Sequence, residues 1–235
     1  MGVCMNGFQY DYAGAAAKAL STLGDFSLAA IPPQAAEPVA QFFSSQTPEL
    51  SYDAKEIKTM LSYPNISLAV QGADKKIASA TVSFGAEYYE PIYTHLGKLE
   101  DYGGPLPESY TSGRDLYLEA LATDEQYRGR GLHLARRLGS LAEIYASLSG
   151  KDGSFLWAGE ESVTAHLANG YELTGETRVM RWEDDDGVVR DHFFRGLYKV
   201  LGGGAIEKSL QNIHTREDYQ RYVAERDAIR LQPVQ

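Results

Sequence analysis

Cysteine is nearly absent from this chain: Cys4 is the only one in 235 residues. An intrachain disulfide is therefore excluded, which is compatible with a reducing compartment, and the expectation is a cytoplasmic protein. No run of eighteen apolar residues occurs, so no membrane-spanning helix and no membrane partner are expected. The N-terminus has no basic segment ahead of an apolar core and does not read as a secretion signal. Met1-Gly2 is followed by Asn6 rather than Ser or Thr, which argues against myristoylation. Positive charge is scarce as well. The formal net charge of -10 disfavours nucleic acid and favours cationic small molecules or basic peptides. His95, His166, His192 and His214 show no metal-ligand spacing, so no metal is expected. There is no Gly-x-Ser-x-Gly elbow, no internal repeat and no low-complexity tract.

Against this acidic background, Arg128, Arg130, Arg136 and Arg137 fall together with His133 in a stretch free of carboxylates. The same stretch holds Gly129 and Gly131, after the alternating run Leu116-Tyr117-Leu118-Glu119-Ala120-Leu121-Ala122 and before the helical pattern Leu132, Ala135, Leu138, Leu141, Ala142, Tyr145. Strand, glycine turn and helix start make an anion cradle, because the first amides of a helix have no internal partner and the helix dipole adds positive charge. Guanidinium groups suit phosphate oxygens. The lysine of a P-loop is missing, and Leu134 stands where a dinucleotide fingerprint needs its third glycine.

Gln126-x-x-Gly129-x-Gly131 resembles the Gln/Arg-x-x-Gly-x-Gly/Ala signature of the GNAT superfamily of N-acetyltransferases, and Tyr117-Leu118-Glu119-Ala120-Leu121 is similar to that family's fourth strand. A second motif, Asn-x-x-Ala-x-x-x-Tyr-x-x-x-Gly-Phe, falls on Gly159, Ser162, His166, Gly170 and Tyr171, with histidine in place of the tyrosine that protonates the leaving thiolate. The resemblance implies an α/β fold of α+β type: a central, mixed, mostly antiparallel twisted sheet of about seven strands, flanked by helices and splayed between its fourth and fifth strands. It implies acetyl-CoA as co-substrate and a primary amine, on a small molecule or a peptide, as acceptor. Backbone groups of Leu121, Ala122 and Thr123 would then pair with the pantetheine arm. The amides of Arg128, Gly129, Arg130, Gly131 and Leu132 would hold the diphosphate.

An alkylamine is about 0.1% neutral near pH 7.4, which makes deprotonation cost roughly 4 kcal/mol and calls for a base. Strict alternation puts Asp115, Tyr117, Glu119 and Leu121 on one face of the strand and Leu116, Leu118, Ala120 and Ala122 on the other. Glu119 matches the glutamate of polyamine acetyltransferases, and Asp115 the general base of histone-tail acetyltransferases. Glu119 is the preferred base or amine-orienting group and Asp115 the second. His166 is the candidate acid, with a tyrosine of the 85–113 segment, or unassisted thiolate departure, as alternatives.

Three divisions are expected: an N-terminal helical extension over 1–24, with a helix from about Tyr10 to Leu23; the acetyltransferase domain over 25–201; and a C-terminal helical tail over 202–235. That tail carries Ile206, Leu210 and Ile213 as a stripe and a capping box at Thr215 and Asp218, packing on the domain or on a second copy in a homodimer. Within the domain, 85–113 is a Tyr-rich insertion with Tyr88, Tyr89, Tyr93, Tyr102 and Tyr110, read as a substrate lid or as an interface or packing loop. Two other functions are compatible with the sequence: transfer of a longer or carrier-bound acyl group, and non-catalytic sensing of acyl-CoA.

Overall fold

The computed structural model describes residues 26–47, 52–183 and 187–202, the backbone of 3–5 and 8–10, and residues 208, 209, 211, 213, 220 and 224 of the C-terminal tail. Strand β1 (Val3–Met5) pairs with β2 (Phe8–Tyr10) in a ribbon apart from the main sheet. Tyr10 is thus extended, where a helix start was expected; 11–24 lie outside the described residues, as do Ile206, Leu210, Thr215 and Asp218.

The main sheet has seven strands: β3 (Ser27–Ala30), β4 (Leu68–Gln71), β5 (Ile77–Gly85), β6 (Asp115–Thr123), β7 (Gly153–Gly159), β8 (Glu172–Glu183) and β9 (Val189–Val200), in the order β3-β4-β5-β6-β7-β9-β8. Every neighbouring pair is antiparallel except β6 and β7. Pro32 and Pro33 follow β3 and end it, since proline brings no N–H to a ladder. Helices α1 (Ala36–Gln46), α2 (Ala54–Ser62) and α3 (Tyr89–Leu96) pack on one face. Helices α4 (Leu134–Leu148) and α5 (Glu160–Ala168) cover the other. A capping box opens α2, with Asp53 Oδ1 accepting from the Glu56 amide at 2.8 Å and Glu56 Oε2 from the Asp53 amide at 2.9 Å.

The Tyr-rich insertion is part of the core. Tyr89 and Tyr93 are fully buried, their rings 4.6 Å apart, and Tyr102 lies 4.5 Å from Tyr93. Lys98 Nζ ties the segment to Glu56 of α2 at 2.6 Å. On the other side the buried Arg178 of β8 donates to Tyr89 Oη at 2.6 Å and to the Tyr102 carbonyl at 3.0 Å, and also to the Pro105 carbonyl. Its guanidinium lies 4.4 Å from the Trp157 ring centre. Of the two expected roles, packing is the one the contacts display. Removing a buried cation that satisfies two carbonyls and a hydroxyl costs about 3 kcal/mol. We expect Arg178→Met to lower the melting temperature by roughly 5–10 °C in a thermal unfolding series.

The tail reaches the domain through α4. Ile213 is fully buried against Leu138 and Leu141, and Arg137 donates to its carbonyl. Ser209 Oγ reaches Glu143 Oε2 at 3.1 Å, beside the buried Lys199–Glu143 ion pair.

Candidate functional site

A β-bulge gives β6 its chemistry. Val82 pairs with Ala120 and Ser83 with Leu118, so Glu119 is the extra residue opposite that step. The bulge breaks the alternation expected from sequence. Tyr117, Ala120 and Ala122 pack with α1–α3, whereas Leu116, Leu118 and Leu121 pack with α4, α5 and the tail side. Ala120 and Ala122 are therefore on the face of Tyr117, opposite to expectation, because one inserted residue inverts the pleat after it.

At the bulge, Glu119 enters a cage of tyrosines. Tyr52 Oη donates to Oε1 at 2.9 Å, while Oε2 and the nearby Tyr93 Oη are both buried without a hydrogen bond of ordinary geometry among the described residues. Burial raises the Glu119 carboxyl from its ordinary 4.5 to about 7, against the opposing pull of the Tyr93, Tyr52 and Tyr117 hydroxyls. The same burial lifts the phenols of Tyr52, Tyr93 and Tyr117 well above their usual value, so they remain neutral. A carboxyl with a midpoint near neutrality is poised to take a proton.

Next to Glu119 the sheet opens. β6 pairs with β7 over Asp115–Tyr117 against Gly153–Phe155, and from Leu118 and Leu156 onward no pairing joins them. The resulting wedge is part of a cleft of about 1170 Å³ lined by both strands, the glycine turn and the start of α5. Just after β6, the Asp124 amide donates to the Ala78 carbonyl at 2.9 Å. Counting back by the two-residue period, Ala122 directs its peptide groups to β5, while Leu121 and Thr123 direct theirs to the open edge. The expected trio is thus divided: Ala122 lines the cleft without offering it a backbone edge. The Thr123 carbonyl is engaged by Arg128 Nε at 2.7 Å.

The glycine turn follows. Asp124 caps the Gln126 amide at 2.9 Å, and Arg128 anchors the turn to the end of α1 through the Gln46 carbonyl at 3.0 Å. Gly129, Gly131 and His133 all have left-handed φ, of 70°, 73° and 50°. A Cβ on either glycine would meet nothing within 4 Å, so backbone angle is what demands glycine here. Alternating left-handed residues curl successive amides toward one side, as in anion-binding nests. Helix α4 starts at Leu134, later than the sequence pattern suggested, and its first internal bond runs from the Arg137 amide to the His133 carbonyl at 3.0 Å. Ahead of it, Gly129, Gly131 and His133 line the cleft. Arg128, Arg130 and Arg136 are exposed, while Arg137 is buried against the tail and is not part of the basic cluster.

Asp115 does not join Glu119. It is buried at the paired end of the wedge, accepts from Tyr198 Oη at 2.9 Å and is not a lining residue of the cleft. Burial raises its carboxyl above the ordinary value, opposed by the Tyr198 hydrogen bond. His166 does line the cleft, from α5, with its ring 5.6 Å from Tyr171. Burial lowers its imidazole from 6.5 to about 4, so it is neutral at physiological pH. Cationic acid catalysis by His166 is thereby disfavoured.

Sequence reasoning missed the aromatic wall. Trp157, Trp182, His192 and Phe194 line the cleft from β7, β8 and β9. The signal was there in the two-residue spacing of His192 and Phe194, which marks one face of a strand. The residues across from them come from distant parts of the chain.

No protein-family model matches the chain, and no curated protein matches it in sequence. Solved structures do resemble it. Drosophila melanogaster polyamine N-acetyltransferase, an enzyme that catalyses formation of N-acetylagmatine, superposes with a TM-score of 0.56 at 18% identity, covering 75% of this chain and 100% of that one. Arylalkylamine N-acetyltransferase 2 from Aedes aegypti gives 0.51 at 16% identity, covering 76% and 100%. Arabidopsis thaliana NAA60 in complex with acetyl-CoA gives 0.54 at 14% identity, covering 76% and 99%. The chain has the fold of the GNAT acetyltransferases, with its seven-stranded, mostly antiparallel sheet and its single parallel pair at the wedge.

Proposed function

We propose that the chain is an acetyl-CoA-dependent N-acetyltransferase acting on a primary amine by direct attack in a ternary complex. One observation carries the reading: a carboxyl with a midpoint of about 7 lies at the bulge where the sheet opens and the cleft begins. The amine N-acetyltransferases of the same fold support it.

The residues present fit the co-substrate. The open edge at Leu121 offers its carbonyl to an amide-bearing arm, and the curled amides of 129–133 suit a diphosphate. When bound, acetyl-CoA supplies an acyl group activated as a thioester. Glu119 then acts on the other partner: Tyr52 fixes Oε1, Oε2 accepts from the acceptor ammonium, and the carboxylate removes the proton that blocks attack. The Leu121 amide is the donor placed to polarise the acyl carbonyl. His166, held neutral, serves as a hydrogen-bond donor beside the departing sulfur rather than as a charged acid. His166→Ala is therefore expected to lower kcat by no more than about tenfold, without removing the inflection near pH 7 that Glu119 sets, in steady-state assays over pH 6–9.

The test combines calorimetry with CoA and acetyl-CoA and thiol-release kinetics over a panel of amines. Saturable binding and amine-dependent release are expected, with acetyl-CoA turned over faster than longer acyl-CoAs. Absence of both binding heat and release overturns the proposal. Binding without release for any amine leaves a sensor.

A further inference from the structure

The face of the sheet that carries Glu119 continues into an aromatic shelf. The register pairs Trp157 with Gly196, Arg178 with Phe194 and Met180 with His192, so the two-residue period puts Trp157, Arg178, Trp182, His192 and Phe194 on this face. Contacts agree. Trp157 packs on the tyrosine cluster, Trp182 stacks on His192 at 3.6 Å and lies 5.8 Å from Phe194. Arg195 and Lys199 point to the opposite face, toward Glu160 and Glu143.

Three properties of the shelf restrict what it can hold. Trp157 Nε1 and Trp182 Nε1 are buried N–H donors with no partner among the described residues, and Glu119 Oε2, beside the Tyr93 hydroxyl, makes no hydrogen bond of ordinary geometry among them. All three residues line one cleft. Unpaired buried polar atoms are costly, so their concentration at one cleft points to a ligand that completes them. Carboxylates are few on this face. Among the described lining residues, Glu119 is the carboxylate of this face, since Asp191 alternates to the opposite side with Arg195, and Glu160 and Glu161 lie on α5. Charge points the same way: the Arg178 guanidinium over Trp157 sets a fixed cation along the shelf. A second ammonium would meet that cation without a counter-charge.

We infer that the acceptor is an arylalkyl monoamine bearing a ring oxygen, its ammonium at Glu119, its ring on the Trp157–Trp182–Phe194 shelf and its oxygen accepting from the indole N–H groups. This rests on the proposed amine acetylation and specifies its substrate class. Ring stacking supplies affinity that is insensitive to salt, and the one carboxylate of this face among the described lining residues receives one cation.

The two tryptophans of the chain both belong to the shelf, so intrinsic indole fluorescence reports its occupancy without any turnover. Tyramine, phenethylamine and spermidine are titrated into the full chain with excitation at the red edge of the indole band. Thiol release from acetyl-CoA is measured with the same amines. Expected are a saturable fluorescence change with tyramine, a weaker one with phenethylamine, and kcat/KM for tyramine at least ~30-fold above that for spermidine. Trp182→Leu is expected to raise KM for tyramine about tenfold with KM for acetyl-CoA unchanged. Trp157→Phe, which keeps a ring under Arg178, does the same if the first variant fails to fold. Spermidine turned over as well as tyramine, or saturating the fluorescence more tightly, overturns the inference while leaving amine acetylation intact. Saturable tyramine binding with no transfer to any amine instead overturns the proposed activity and preserves the shelf.

Discussion

Glu119→Gln is expected to lower kcat by at least ~100-fold while CoA affinity stays within about twofold. Glutamine is nearly isosteric and can still accept from Tyr52, so the cage and the bulge persist and only the basic oxygen disappears. The pH profile gives the second readout. With a midpoint raised to about 7, wild-type kcat/KM should climb as pH passes through 7 and the carboxylate forms, and the variant should lose that inflection. Stability supplies the third, with opposite sign. A carboxyl that titrates at 4.5 when unfolded and about 7 when folded binds its proton more tightly in the native state. Its ionisation therefore costs stability progressively as pH rises from 4.5, reaching its full value above 7. That interval corresponds to roughly 3 kcal/mol at most. Because the residue opens on to the solvent-filled cleft, screening reduces the effect to about 1–2 kcal/mol. The glutamine variant should thus melt a few degrees higher than wild type at pH 8 and no higher at pH 4. Full activity retained across the pH range would remove Glu119 from the chemistry.

Part of the order of elements was legible from local signals, as at the alternating run before Gly129 and the helix stop at Asn169-Gly170. The glycine turn was legible for a stronger reason: left-handed angles at Gly129 and Gly131 exclude nearly every other residue. What escaped was set by tertiary register. Nothing in Leu118-Glu119-Ala120 announces a bulge, which arises from how β6 fits β5 at Val82 and Ser83. Without it, Asp115 and Glu119 look like equivalent carboxylates on one face. With it, one ends in the cleft and the other under Tyr198. Tyr52 lies 67 positions from Glu119 and Tyr89 lies 89 positions from Arg178, so neither contact leaves a local trace. The arginine cluster shows the converse: Arg137 shares its neighbours' sequence context, but the helical period turns it inward to Ile213.

Gly129→Glu should abolish measurable CoA binding, raising Kd by at least ~100-fold in calorimetry, with little loss of fold. Two effects act together. A non-glycine residue at φ 70° is strained by about 1–2 kcal/mol, and the loop relieves that strain by rotating its amides out of the curl. The new carboxylate also places a negative charge where the proposed diphosphate would sit, beside Arg128 and Arg130. Neither effect reaches the core, because the glycine is exposed and a Cβ there meets no atom within 4 Å. The melting temperature without ligand should therefore change by no more than about 2–4 °C. Gly129→Asn separates the two causes, since asparagine tolerates the left-handed region and brings no charge. It should retain binding within about tenfold of wild type. If the glutamate variant binds CoA as tightly as the parent, the turn does not hold the diphosphate, and the cleft must take its anion elsewhere.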